Sequence, residues 1–457
     1  MRIALYGGSF NPPGVHHVAV ARALSGSFDE VVVLPCGPRP EKPSNNAVAS
    51  VFRAAMVDMA FQRMPKVRVD LSDLEQATFT RSVELERRYV GHEVWHVVGA
   101  HLVEGGGRGE SSIQRSWTEG ERLWRQARFA VFHRAGRPPA PEDVPPRAEL
   151  FEVEAEGSSA DIREKLFQRR RASGTMPEEV AEYVERHGLY RLSEPTRATR
   201  ITLGEPRLLI VADERNPKAQ AWAQALRRWE DVIDPELIVV LGGDGMMLHA
   251  IHQHWRRRVP FFGINAGHLG FLLNELGPDP AALFPPSEVV LRELPMLYVT
   301  STDPDGNERS DLAFNDAWLE RLGGQSAWLE VSVDGRLRFE KLVCDGILAS
   351  TAAGSTAYAT SMGATPLLAD THAWLLVGSN VMTPRGWKSA LLSMESEVLI
   401  RTLHREKRPT RGYANGTYLG EVVQIRIRPS RTATAALAWL PQHDMAEKIA
   451  RMQFPAA

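Results

Sequence analysis

The sequence predicts an α/β protein made of two units in series. The first reads as a doubly wound parallel sheet, the second as an α/β lobe followed by a β-rich lobe. Three observations carry this. Short apolar runs alternate with helically spaced stretches through most of the first 270 residues. A polar, aperiodic stretch with two prolines interrupts that alternation at 193–206. Beyond about Val289 the texture changes to short alternating segments separated by Gly, Asp and Pro turns, the mark of antiparallel β. The expected bounds are 1–192, a linker at 193–206, an α/β lobe at 207–288, and a β-rich lobe with a C-terminal segment at 289–457.

The elements follow in order. "IALY" (3–6) and "VVVLP" (31–35) read as buried parallel strands. "VAVARALS" (18–25) and "SVFRAAMVDMAF" (50–61) carry helical spacing, and "EVWHVVGAH" (93–101) is a further strand. "SWTEGERLWRQARFAVF" (116–132) reads as helix then strand, and the Pro-rich 134–147 as a surface loop. "SSADIREKL" (158–166) places a serine cap before a helix, and "MPEEVAEYVERHGLY" (176–190) has Pro near its first turn and Gly near its last. In the second half, "RLLIVAD" (207–213), "LIVVLGGDG" (237–245) and "VPFFGINAG" (259–267) are strands with helices between them. "WLEVSVDG" (328–335) and "VVQIRIRP" (422–429) represent the β-rich texture.

Bulk properties narrow the class. A length of 457 residues fits two or three domains. With 54 basic and 56 acidic residues the net charge is −2, so no global charge points to nucleic acid or an anionic membrane. Cys36 and Cys344 are too few for a disulfide framework and fit a reducing compartment. The start of the chain breaks before a signal-peptide core forms, and no run has the length of a membrane helix. A cytoplasmic location is the expectation.

"LGGDGMMLHAI" (241–251) follows a strand that reads as fully buried. Its glycines let backbone approach a phosphate, and the helix start offers free N–H groups. An Asp between glycines at a strand end suits a proton acceptor or a magnesium-shell ligand, although alone it is equally a tight Asp-Gly turn. Three more stretches add weight: "GINAGHLGFL" (263–272), "FNDAWLER" (314–321) with its Asn-Asp pair, and "CDGILASTAAGSTAY" (344–358). In order and content these motifs resemble the NAD kinases. The resemblance implies that Asp244 takes the proton from the adenosine ribose 2′-hydroxyl of NAD as it attacks the γ-phosphate of ATP. Gly242, Gly243 and Gly245 would let the loop bind phosphates, and Asn315 and Asp316 would hold the adenosine part of NAD. Asp345, Thr356, Ala357 and Tyr358 would line the dinucleotide pocket. Mg²⁺ would travel with ATP, no protein-held metal is expected, and a dimer or tetramer is the expected assembly. Two departures stand out: Thr351-Ala352-Ala353-Gly354 where the family has Thr-Pro-Thr-Gly, and Asn415-Gly416 where it has Asp-Gly.

The first half opens with "GGSFNPPGVHH" (7–17). With "SSADIREKL" and "MPEEVAEYVERHGLY" it resembles the bacterial nicotinate/nicotinamide mononucleotide adenylyltransferases, which implies a Rossmann-like nucleotidyltransferase domain. These join a mononucleotide to the AMP part of ATP, with histidines and basic groups stabilising the developing charge. The resemblance implies roles in ATP or mononucleotide binding for Gly8, Ser9, Phe10, His17, Lys42, Trp117, Ser158, Ser159, Ile162 and Arg163, with His17 catalytic. The family motif ends Pro-(any)-His-(any)-Gly-His, and here its first histidine is replaced by Gly14 and its spacer glycine by His16. One residue away from His17, His16 is expected to point elsewhere. Two further departures are His101 after Gly99-Ala100 and Ala160 after Ser158-Ser159.

Other stretches carry less. His249, His252 and His254 read as a solvated or ring-packed helix face, "QRRRAS" (168–173) as a solvated basic face, and "EGGGRG" (104–109) as a loop or lid. Lipid and diacylglycerol kinases share Gly-Gly-Asp-Gly, but the Asn-Asp and Gly-Ser-Thr-Ala-Tyr motifs point away from them. The expectation is a fusion for NADP synthesis, with a slight preference for nicotinamide mononucleotide, whose product feeds the kinase directly. The alternative is a kinase whose first domain is a non-catalytic nucleotide sensor or scaffold.

Overall fold

The computed structural model describes residues 1–39, 48–154, 157–168, 170, 172, 174–191, 198–267, 270–277, 284–443 and 445–454. Two compact units emerge, Met1–Thr196 and Arg197–Ala457.

The first unit is one six-stranded parallel sheet: β1 (Arg2–Gly8), β2 (Glu30–Pro35), β3 (Val67–Val69), β4 (Glu93–Gly99), β5 (Arg128–Arg134) and β6 (Ala148–Val153). Strand order is β3-β2-β1-β4-β5-β6, the doubly wound order. Its helices are α1 (Val15–Ser27), α2 (Ser50–Phe61), α3 (Ser72–Gln76), α4 (Ser82–Arg88), α5 (Ser112–Ser116), α6 (Gly120–Gln126), α7 (Ser159–Phe167) and α8 (Glu178–Arg186). Ile3 to Leu5 and Val31 to Val33 are almost fully buried, as strands covered on both faces must be. The order reverses between β1 and β4, so the turn leaving β1 opens at the switch point, where such sheets bind ligands.

The second unit begins with β7 (Ala198–Thr202). This corrects part of the expected linker. β7 pairs antiparallel with β11 (Glu288–Thr302), and Ile201 packs on the core beside it. A polar, short segment gives no periodic signal, yet a long strand edge with unpaired N–H and C=O groups captures it. The α/β part is β8 (Leu208–Ala212), α9 (Pro217–Leu226), β9 (Leu237–Gly242), α10 (Asp244–His254) and β10 (Phe261–Asn265), with β8, β9 and β10 parallel.

The β-rich part supplies β12 (Glu308–Ala313), β13 (Asp316–Arg321), β14 (Ala327–Val333), β15 (Arg336–Cys344), β16 (Gly346–Ser350), α11 (Tyr358–Ser361), β17 (Ala373–Ser379), β18 (Ser389–Ser393), β19 (Val398–Thr402), β20 (Thr410–Ala414), β21 (Thr417–Glu421) and β22 (Gln424–Trp439). The two expected lobes share a ten-stranded sheet, because β22 pairs with β10 at one end and with β11 and β19 along its length. β13, β16, β17, β18, β20 and β21 form a separate antiparallel sheet. The chain then returns to the α/β part through α12 (Met445–Gln453), whose Met445 and Ile449 pack with Met247 and Ile251 of α10.

Candidate functional site

In the first unit the turn after β1 is held from below. Arg53 of α2 is buried and donates Nη2 to the carbonyls of Ser9 (2.7 Å) and Cys36 (2.8 Å), tying the turn to the end of β2. From α7, Ser159 Oγ donates to the Pro12 carbonyl at 2.8 Å and Arg163 Nη1 to that of Asn11 at 2.6 Å. Tyr190 donates to Asn11 Oδ1 at 2.5 Å. Ser158 caps α7, its Oγ accepting from the Asp161 N–H at 3.1 Å. The first turn of α7 and the 7–17 loop therefore form one bonded group, at the switch point of the sheet. Nothing in the residue types of Arg53 or Tyr190 announced this, since both act through burial beneath the turn.

Two residues expected to touch ligand are corrected. Phe10 is 1% exposed and packs edge-on against Tyr6, Phe61 and His17. Its left-handed φ of 43° turns the ring into the core, and Gly8 has no room for a side chain because a Cβ there would lie 2.9 Å from that ring. Ile162 is likewise 1% exposed, as an apolar side chain on the inner face of α7 should be. Ser9 lies beside the Cys36 thiol, and Lys42 falls outside the described residues. Trp117 is half-buried beside His96 and Phe129, in the core cluster under β4 and β5.

His17 sits in the first turn of α1, and its Nδ1 accepts the Gly14 N–H at 3.0 Å. That bond places the ring proton on Nε2, which stays available as a donor. Burial first, and His16 second, push its pKa down to about 3, so the ring is neutral. The expected direction of His16 is corrected. Its ring lies 3.9 Å from that of His17, centroid to centroid. It folds back over Gly14, where a Cβ would meet His16 Cε1 and Nδ1 at 2.6 Å. Surface spacing along an ideal helix missed this because, in the first turn, no preceding turn stands in the way of a ring folding back. His101 behaves similarly, its ring covering Gly99.

In the second unit Asp244 is the first residue of α10, directly after fully buried β9. Its Oδ2 accepts the Phe271 N–H at 2.9 Å and its Oδ1 the Leu272 N–H at 3.0 Å. Burial raises its pKa above the usual carboxylate range, against the lowering effect of these amides and of Lys448. Lys448 of α12 donates Nζ to the carbonyls of Gly270 (2.5 Å) and Leu273, which bracket the two amides. A Cβ on Gly243 or Gly245 would meet open space, so packing does not require glycine there. Gly242 differs: a Cβ would lie 2.9 Å from Met246 Cβ.

Asn315 and Asp316 stand where β13 begins. The Asn315 N–H donates to Asn415 Oδ1 at 3.2 Å, while its own side-chain Oδ1 is buried with no partner. Asn415-Gly416 is the two-residue turn between β20 and β21, both residues at positive φ, as a type I′ hairpin requires. Thr351 Oγ1 donates to the Phe314 carbonyl at 2.6 Å and accepts the Gly354 N–H at 3.1 Å. A Cβ on Gly354 would lie 2.2 Å from the Asn315 carbonyl oxygen. Asp316 is buried enough to raise its pKa to about 6. Met247, Phe314 and Ala353, each close in sequence to one motif, share one core cluster with Leu272 and Leu273. That cluster draws the three motifs together.

Asp345 is not drawn into this group. Asp316 pairs with Ser350 and Glu320 with Gly346, so Asp345 lies beyond the far end of the β13–β16 pair, roughly 17 Å along the strands. There it binds Arg321 at 2.7 Å and Asn380 at 2.8 Å. Thr356 is half-buried, while Ala357 and Tyr358 are exposed. A cavity of about 250 Å³ runs along α10 beyond Asp244, lined by His252, Trp255, Tyr298, Asp311, Phe314 and Asn415 among others. It includes neighbours of Asn315 but not Asp244 itself.

Comparisons with known proteins give two family matches that overlap at 162–175, the second beginning inside the first unit. The cytidylyltransferase-like family model matches residues 5–175, and the ATP-NAD kinase N-terminal domain model residues 162–284. An NAD kinase of Xanthomonas campestris pv. campestris (strain 8004) is 34% identical over 255 residues, covering 54% of this chain and 98% of that relative. An NAD kinase of Cereibacter sphaeroides (strain ATCC 17025 / ATH 2.4.3) is 36% identical over 223 residues, covering 48% of this chain and 87% of that relative. A solved NAD kinase from Archaeoglobus fulgidus in complex with ATP aligns with a TM-score of 0.41 at 21% identity, over 52% of this chain and 94% of that one. The chain belongs to the NAD kinase family and carries a cytidylyltransferase-like domain ahead of its kinase unit.

Proposed function

We propose that the second unit transfers the γ-phosphate of ATP to the 2′-hydroxyl of the adenosine ribose of NAD. The observation that carries this is Asp244: a carboxylate at a helix start, aimed by two backbone amides, between glycines that packing does not demand. Each carboxylate oxygen keeps a lone pair after accepting one amide, so Asp244 can still take the ribose proton. Its raised pKa suits a general base, since a more basic carboxylate accepts that proton more readily. The 2′-oxygen then bonds to the γ-phosphorus and ADP leaves with the bridging oxygen. The buried, unpartnered Asn315 Oδ1 would accept from an adenosine N–H or hydroxyl. Mg²⁺ would enter on the ATP phosphates; among the described residues no group of three His, Cys, Asp or Glu is gathered to hold an ion.

For the first unit we propose adenylyl transfer from ATP to a nicotinamide or nicotinate mononucleotide. The supporting observation is the joining of the 7–17 loop to the capped start of α7 at the switch point of the sheet. His17 Nε2, Ser159 and Arg163 would face the triphosphate.

One experiment tests both readings. The protein is incubated with ATP, Mg²⁺ and either mononucleotide or NAD, and products are resolved by chromatography. NADP formed from NAD, and dinucleotide with pyrophosphate formed from a mononucleotide, are expected. Binding of nucleotide without pyrophosphate release would make the first unit a sensor. No helix among the described residues is long and apolar enough to cross a membrane.

A further inference from the structure

The first unit lacks a side chain at residue 14, yet the space beside that backbone is filled. His16 folds its ring into it, within 2.6 Å of where a Cβ would stand. Only glycine at position 14 permits this. The two rings of His16 and His17 then lie side by side. His17 is fixed by its bond to the Gly14 N–H, and His16 is wedged between Gly14 and Gly157, whose absent Cβ would be 3.5 Å from Nδ1. Gly157 immediately precedes the Ser158 cap, so His16 Nδ1 faces the start of α7, a nine-residue helix. That nitrogen is buried without a hydrogen-bond partner. A buried unpaired nitrogen costs free energy that a bound partner recovers. Burial and the nearby Arg134 favour the neutral ring, with Asp161 opposing.

We propose that His16 is a second catalytic imidazole of the first unit, standing where a side chain at residue 14 would, and that its Nδ1–H donates to a phosphate oxygen of the bound nucleoside triphosphate. This rests on the adenylyl-transfer reading. In that reaction a phosphate oxygen of the mononucleotide bonds to the α-phosphorus. The bond from that phosphorus to the oxygen bridging to the β-phosphorus breaks, and pyrophosphate leaves with the electron pair. His16 and His17 Nε2 exchange no proton. They donate hydrogen bonds to oxygens on which negative charge gathers, while Arg134 and the α7 N–H groups add positive potential.

The test uses the whole chain, with NADP formation as a check that the kinase unit is intact and thermal melting as a check on the first unit. Histidine 16 is removed by His16→Gly, and the imidazole is returned from the other side by Gly14→His in the same chain. Gly14 has extended backbone angles (φ −104°, ψ 169°) that histidine adopts freely. Pyrophosphate release is expected to fall about 10²-fold in His16→Gly. The double variant is expected to recover most of that loss. An unchanged rate in His16→Gly, or a double variant no faster than the single one, overturns the proposal. If the natural chain releases no pyrophosphate, the adenylyl-transfer reading fails by itself. The His16 contact is then decided by binding of α,β-methylene-ATP: weaker binding in His16→Gly and recovery in the double variant sustain it. Equal binding, or no binding to either chain, refutes it.

Discussion

The two units present the same local plan with opposite electrostatics. Each runs a buried strand into a glycine-bearing turn and then a helix whose first turn carries the reactive residue. Burial moves both residues towards their neutral forms, Asp244 upwards and His17 downwards. For the carboxylate this strengthens a base. For the imidazole it removes a positive charge and leaves a hydrogen-bond donor. On the proposed readings, one unit is thereby prepared to take a proton, the other to steady charge without moving one. The same element geometry serves two chemistries because the neighbours differ. Asp244 has backbone amides and a lysine behind them, whereas His17 has aromatic rings and a second imidazole.

Asp244→Asn gives the sharpest break in this comparison. NADP formation should fall by about 10²–10⁴-fold, the range for a lost general base, while pyrophosphate release continues. If NADP formation persists, Asp244 is not the base. His17→Ala makes the reciprocal cut: pyrophosphate release should drop about 10²–10³-fold with the kinase rate unchanged. Gly354→Ala probes packing instead. The new Cβ would press on the Asn315 carbonyl, and the kinase unit should lose about 1–3 kcal/mol, read as a lower melting temperature. Lys448→Met should cut the kinase kcat about tenfold, the worth of one charge-assisted hydrogen bond, with KM for NAD little changed. Lys448→Arg should recover part of it; a loss confined to KM would remove Lys448 from the positioning of Asp244.

The smallest effect is on pH profiles. A base must be ionised, so kinase kcat should fall on the acid side, at a pH above the ordinary Asp range. His17, neutral down to about pH 3, should put no inflection near 6.5 into the rate of the first unit. An inflection there that vanishes in His17→Ala would show a charged imidazole and undo the contrast.

Much of this was legible in the sequence, for local reasons. The buried runs at 3–6 and 237–242, the serine before α7 and the glycines around Asp244 act within a few residues of themselves. What stayed hidden depends on distant partners. β7 is a strand only because β11 offers it an edge 88 residues away in sequence, as between Arg200 and Glu288. Asp345 looked like a neighbour of Thr356 in sequence, but an intervening strand carries it to the other end of the sheet. Phe10 and Ile162 were expected at the ligand because motif position says nothing about which way a side chain faces. His16 was hidden for a subtler reason: its place depends on the side chain missing from Gly14.

The hold of Lys448 on the turn after β10 bears on how the chain becomes competent while it is being made. The bond to Gly270 spans 178 residues. The first unit holds a bond of the same reach, Tyr190 to Asn11 across 179 residues, so what sets the two sites apart is where their partners lie along the chain. The bonds gathering the first unit's site all lie within residues 9–190. A ribosome-bound chain could therefore complete the first site while Asp244 still waits for its lysine, so the two sites should be completed in the order in which the message is read.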